Sequence, residues 1–330
     1  MNNINNEGPL FIIGMPRSGT KLLRSLLNEN PLISIPTIET EFLPLWRKKW
    51  NSFGDLSDFD NFKQFYKFNL KLPYFDYMKS LNSLIDQDIW FNSCQNYKIT
   101  GVFEALIRHD SDATVGSNII WGDKSPSYIR HTLFLKHMYP KAKFIHIIRD
   151  VRDYCLSINK AWGKNIYRAA QRWTTDVQQA KNDSLHLGNN YIEIKYEELL
   201  SDTENQLSKL CEFLSVPYSS KMLKLSQPSE NLGDTIGELL VQKNNMNKYI
   251  TRMNSVKRNF IESIAKNVLT DTGYLISYRG PTKSIGRFRL LTYQCTDGIC
   301  LFLRSIKQEN FLVAINKRWQ FYRASGNRDK

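Results

Sequence analysis

The sequence predicts an α/β fold in three layers, a central parallel sheet flanked by helices. Three observations carry that expectation. Apolar runs of strand length alternate with segments of helical spacing, as in parallel strands joined by crossover helices. The first run ends in a glycine-bearing turn that leads directly into an amphipathic helix. Two of the runs end in turns bearing cations, at the carboxyl edge where ligands of such sheets sit.

Residues 10–15, LFIIGM, form an apolar run ending near glycine, as a buried parallel strand does. Residues 20–31, TKLLRSLLNENP, place Leu22, Leu23, Leu26 and Leu27 on one helical face and stop at Pro31. Residues 41–103 are rich in Phe, Tyr and Trp without a strong period. Residues 128–140 read as a helix ending at Pro140, and 143–148, KFIHII, as a second buried strand. The following stretch, RDVRDYCLSINKAW, has helical spacing. Residues 191–196, YIEIKY, read as a third strand, and 201–216 as an amphipathic helix in which Ser201 and Glu204 have capping-box form.

The composition is that of an ordinary globular chain: 330 residues, 42% hydrophobic and 23% charged. The formal net charge of +13 points to an anionic partner. No zinc-finger, RNP or helix-turn-helix signature accompanies it, so nucleic acid is not the expected partner. The five cysteines are scattered without metal-site spacing, which predicts reduced thiols and no metal. The polar start and the lack of a long apolar run predict a cytoplasmic chain.

Gly14 and Gly19 have the spacing of a nucleotide-binding P-loop. Thr20, however, stands where that loop has lysine, and Lys21 where it has the hydroxyl that holds magnesium. A P-loop kinase therefore fits poorly. Backbone amides of such a turn face an anion at the helix start, and Arg17 and Lys21 add fixed charge. Arg149 follows the second strand and suits a bidentate grip on phosphate, with Ser157 eight residues on. Each signal alone has a plain alternative. Glycine turns are common, and Arg149, Asp150, Arg152 and Asp153 also read as a solvated charge cluster. On two strand ends of one sheet they describe a ligand with two separated phosphates.

These motifs resemble those of the sulfotransferases that use 3′-phosphoadenosine 5′-phosphosulfate. FIIGMPRSGTKLLRSLL is similar to that family's 5′-phosphosulfate loop, and IIRDVRDYCLS to its 3′-phosphate motif. GDKSPSYIRHTLFLKHMYPKAKFIHIIRD is similar to the linking segment of the heparan and tyrosylprotein branch, and YEELLSDTENQLSKLCEFLSV to the next strand and helix. The resemblance runs from about residue 10 to 216 and thins toward 275. It implies a P-loop-like fold and a sulfotransferase domain at 1–275, with acceptor-site insertions in 41–120 and 225–260. A basic, aromatic extension follows at 276–330.

The resemblance also implies roles. Pro16, Arg17, Ser18, Gly19, Thr20 and Lys21 would hold the phosphosulfate, and Arg149 and Ser157 the 3′-phosphate. Tyr196 and Lys248 match positions that touch the nucleotide. Glu39, in Glu39-Thr40-Glu41-Phe42, matches the catalytic base, with Glu41 as its neighbour rival and His109 as the counterpart from the histidine branch. Arg17 and Lys124 would meet charge on the leaving phosphate. The acceptor hydroxyl is expected on a glycan, glycolipid or small metabolite, with tyrosylprotein sulfation as the alternative. A P-loop kinase or a nucleotide-binding non-enzyme is a more distant reading.

Residues 281–330 carry ten Lys and Arg against three acids, a net +7, interleaved with Phe, Leu, Trp and Tyr. Such a segment either lies on an anionic membrane surface or packs onto the domain with its charges in water.

Overall fold

The computed structural model describes residues 8–111, 113, 118–229 and 234–308. Five parallel strands run in the order β2-β3-β1-β4-β5. They are β1 (Leu10–Gly14), β2 (Ile33–Ser34), β3 (Ile120–Lys124), β4 (Lys143–Ile148) and β5 (Tyr191–Lys195). The three expected strands are present. β1 and β4 pair from Leu10 opposite Lys143 to Gly14 opposite Ile147, and Ile12 lies opposite Lys124 of β3.

Alternate residues of β1 divide the core. Phe11 and Ile13, with Phe144, face an aromatic layer. Leu10 and Ile12, with Ile145 and Ile147, face the helices Thr20–Asn28 and Thr203–Leu214. The aromatic stretch folds into helices at Leu43–Lys49, Phe59–Asn69, Pro73–Ser80, Gln87–Ser93 and Ile99–Asp110. Phe42, Trp46, Phe65, Trp90 and Phe103 are buried there. Their polar edges are satisfied: Trp46 Nε1 donates to Asn69 Oδ1 at 2.7 Å, and Trp90 Nε1 to the Val102 carbonyl at 2.9 Å. Most of these aromatics are core, not pocket lining.

Three local expectations are corrected. β2 and β3 were not legible in sequence. β3 reads Ile-Trp-Gly-Asp-Lys, with a glycine and two charges, yet all five residues are buried. At Gly122 an added Cβ would lie 2.0 Å from the Leu10 carbonyl oxygen, so only glycine lets β3 approach β1 this closely. The helix expected over 128–140 is a 3₁₀ turn, Pro126–Arg130, followed by Thr132–Met138. The helix expected over 201–216 is present as Thr203–Leu214, and a separate short helix, Tyr196–Ser201, precedes it. No capping box forms, because Asp202 occupies the cap position and makes no side-chain cap bond.

The helices Val151–Trp162, Ile166–Ser184 and Ser255–Asp271 pack together on the aromatic side, and Arg287–Gln308 lies against Ile166–Ser184. Among the described residues, no helix is long and apolar enough to cross a membrane.

Candidate active site

The turn after β1 is built by two left-handed residues, Arg17 at φ 69° and Gly19 at φ 90°. The Ser18 amide donates to the Met15 carbonyl at 3.1 Å, closing the turn. A Cβ on Gly19 would stand 2.3 Å from Tyr196 Cδ2, so this glycine makes room for the tyrosine ring laid on the loop. Thr20 opens the helix and is buried, while Pro16, Arg17 and Lys21 are partly exposed. Ser18 is buried, and its Oγ has no hydrogen-bond partner among the described residues.

Arg149, at the end of β4, is brought to this loop. Its Nη1 donates to the Arg17 carbonyl at 3.0 Å and its Nη2 to the Asn245 carbonyl at 3.2 Å. Its guanidinium lies 4.5 Å over the Tyr196 ring. Its buried Nε has no partner among the described residues. Ser157, on Val151–Trp162, accepts a bond from Arg17 Nε at 3.4 Å. Asn245 Nδ2 donates to the Tyr196 hydroxyl at 2.8 Å, and Lys248 Nζ donates to Asn245 Oδ1. The segment around 245–248 therefore closes over the two strand ends.

Two adjoining clefts share Arg17, Arg149 and Asn245. One, of about 490 Å³ and open to solvent, is lined by Gly19, Tyr196 and apolar Leu22, Leu225 and Leu240. The other, of about 460 Å³, holds Ser157, Lys160, Lys248 and Arg252. Asp234 stands among these cations. Its Oδ2 accepts from Lys248 Nζ at 2.5 Å and from Arg252 Nη1 at 3.0 Å, and its Oδ1 from Lys160. The Lys160 and Lys248 bonds hold its carboxyl well below the usual range.

On the other side of β1, Lys124 ends β3 with no exposure, and its ammonium pairs with the Glu39 carboxylate. Burial pulls the Lys124 ammonium below its ordinary value; Glu39 opposes this, and nearby Arg24 and Lys21 reinforce it. The Glu39 loop is tied at several points. Arg24 donates to the Thr37 carbonyl, Thr40 Oγ1 shares a 2.7 Å bond with the Tyr128 hydroxyl, and the Glu41 amide donates to Ser125 Oγ at 3.2 Å. Of the three candidate bases, the structure pairs Glu39 with Lys124. His109 lies at the last turn of Ile99–Asp110, beside Asp110 at 2.9 Å. Asp123, which sequence reasoning passed over, is buried next to this pair. Burial pushes its carboxyl up to about 7, against the pull of Ser125, Lys124 and Thr40.

A sequence model described as the sulfotransferase family matches residues 9–220. The chain belongs to the sulfotransferase family. Protein-tyrosine sulfotransferase A of Caenorhabditis elegans is 25% identical over 226 residues, covering 66% of this chain and 52% of that protein. Protein-tyrosine sulfotransferase 1 of Danio rerio is 22% identical over 230 residues, 66% of this chain and 56% of its own length. The chain thus spans about half the length of these curated relatives. The sulfotransferase domain from the curacin biosynthetic pathway superposes with a TM-score of 0.56 at 21% identity, over 82% of this chain and 98% of that domain. That likeness shows the shared fold.

In this sulfotransferase-family chain the RDVRD stretch is not the solvated cluster that its charges allow. Asp150, Arg152 and Asp153 are each at most 3% exposed. Arg152 Nη1 donates to Glu262 Oε1 at 2.6 Å and its Nε to Asp150 Oδ1 at 2.9 Å. The Asp150 amide donates to Glu197, which also accepts from the Tyr274 hydroxyl at 2.7 Å. Asp153 Oδ1 accepts from the Tyr249 amide at 2.8 Å and its Oδ2 from the Lys248 amide at 3.3 Å, which seats the 245–249 segment. Asp153 lies within the IIRDVRDYCLS motif and Glu197 within the YEELL stretch, but neither motif reports what its carboxylate holds; Glu262 lies in no motif.

Proposed function

We propose that this protein moves the sulfuryl group of 3′-phosphoadenosine 5′-phosphosulfate to an acceptor hydroxyl. The observation that carries the reading is the Glu39–Lys124 pair, one strand away from the loop where Arg17, Arg149 and Ser157 converge. The residues present fit a nucleotide with two phosphates. The buried Ser18 Oγ and Arg149 Nε each retain hydrogen-bonding capacity. The Tyr196 ring and the leucines beside it suit a flat base, and Ser157 and Lys248 suit a second phosphate.

Glu39 takes the proton as the acceptor oxygen forms its bond to sulfur. The bond from sulfur to the bridging phosphate oxygen breaks in line, releasing 3′,5′-adenosine bisphosphate. Arg17, Lys124 and the loop amides meet the charge that grows on that oxygen. Asp123, pushed up to about 7 by burial, is protonated more readily than an ordinary carboxyl beside Lys124.

The acceptor is read as a tyrosyl hydroxyl in a peptide, in place of the glycan, glycolipid or metabolite expected from sequence. Support comes from the relatives, which are protein-tyrosine sulfotransferases. Transfer of ³⁵S from labelled donor to tyrosine peptides, with glycans and lipids in parallel, tests the choice. Labelling of glycan alone would reject the tyrosyl reading and leave the donor chemistry standing.

The donor site has its own test. Thermal stabilisation by 3′,5′-adenosine bisphosphate should exceed that by 5′-AMP, which leaves one anion subsite empty. Arg149→Ala should cost about 1.5–3 kcal/mol of bisphosphate affinity, the value of a bond to a charged group. Equal stabilisation by both nucleotides would remove the 3′-phosphate assignment.

Asp234 competes with an arriving phosphate for Lys160, Lys248 and Arg252. Asp234→Asn is therefore expected to tighten bisphosphate binding roughly threefold to tenfold, by removing a like charge within a Debye length. Calorimetry reads this directly. Weaker binding would mean that Asp234 serves to order Lys248.

A further inference from the structure

We propose that the outward face of the Arg287–Gln308 helix is a docking surface for an anionic lipid bilayer. The helix has two faces, and the inward one is settled. Asp297 is buried, with Oδ2 accepting from Arg168 Nη1 at 3.0 Å and Oδ1 from the Asn165 amide at 2.7 Å. Leu290 and Tyr293 pack beside it on the core. At 100° per residue these three share one side. Phe288, Leu291, Ile299 and Leu303 fall on the opposite side, joined by Cys295, and recur at spacings of three and four. They are 82%, 59%, 59% and 55% exposed.

An ordinary surface helix turns its apolar stripe inward and its charges out. Here the single acid of the helix is turned inward and neutralised by Arg168, and the outward stripe is apolar. Charge complementarity selects the occupant. Arg287 and Arg289 are exposed at the start of the helix, on the flanks of the stripe, and among the described residues no acid pairs with them. Residues 309–330 lie outside the described residues; their sequence adds five Lys and Arg against two acids. An apolar stripe bordered by cations fits acyl chains below anionic headgroups. Among the described residues no helix is apolar enough to span a bilayer, so the helix lies on the surface. The membrane expectation at 281–330 thus gains a specific face, independent of the acceptor.

The test is flotation of the full chain with phosphatidylcholine vesicles, with and without phosphatidylglycerol. Binding is expected only with phosphatidylglycerol and should weaken with salt. The double variant Leu291→Ser/Ile299→Ser, on exposed positions, should bind roughly tenfold less or worse, and so should Arg287→Glu/Arg289→Glu. No flotation with anionic vesicles, or unchanged flotation of both variants, overturns the proposal. If the serine pair instead turns a dimer into a monomer without changing flotation, a second copy covers the face and the bilayer does not. If the pair lowers the melting temperature and leaves flotation unchanged, the chain's own C-terminal residues cover it.

Discussion

Glu39→Gln is expected to lose turnover by roughly 10²-fold or more while affinity for 3′,5′-adenosine bisphosphate is kept. The amide preserves shape and can still accept from Lys124, but it cannot take the acceptor's proton. Lys124 makes the substitution informative. Its ammonium has no exposure and loses its counter-charge in the variant. A thermal unfolding control therefore separates a lost base from a disturbed site. Single-turnover assays with saturating donor should show the loss in the chemical step. If Glu39→Gln keeps its rate and Glu41→Gln loses it, Glu41 is the base. Glu41 begins from a strained position, at φ 52°, with its amide held by Ser125 Oγ. Loss in His109→Ala with Glu39→Gln intact would place the chain with the histidine branch.

Arg152→Ala is expected to cost about 3–5 kcal/mol of stability, as removal of one partner from a buried ion pair does. Two carboxylates, Asp150 at 2% exposure and Glu262 at none, would be left facing each other without their cation. That loss is a large part of a typical folding free energy of roughly 5–15 kcal/mol. Denaturant unfolding at neutral pH measures it. The effect should reach the nucleotide site, because Asp150 adjoins Arg149 and Asp153 seats the Lys248 segment. A loss below about 1 kcal/mol, the size of an exposed pair, would contradict the buried network.

Much of the donor side was legible in sequence because its signals are local. The strand, turn and helix from Leu10 to Asn28 lie within one contiguous stretch, and Arg149 and Ser157 lie within one strand–helix unit. A run of apolar residues ending in glycine or arginine reports its own burial and its own turn. The aromatic stretch was legible only as hydrophobic. Its rings satisfy one another across five short helices, and no single period runs through packing of that kind.

The order of local chemistry along the chain by itself determined the parallel sheet, the two cationic strand ends and the family. Only the tertiary structure decided how deep the charges sit and which of them meet. β3 could not be read because Gly122, Asp123 and Lys124 look like surface residues until β1 lies against them. Glu39 and Lys124 stand 85 positions apart, and Arg152 and Glu262 stand 110 apart. A charge tolerates burial only beside its partner. Partners this distant in sequence are chosen when the packing of strands, loops and helices brings them together, and no local pattern records that choice.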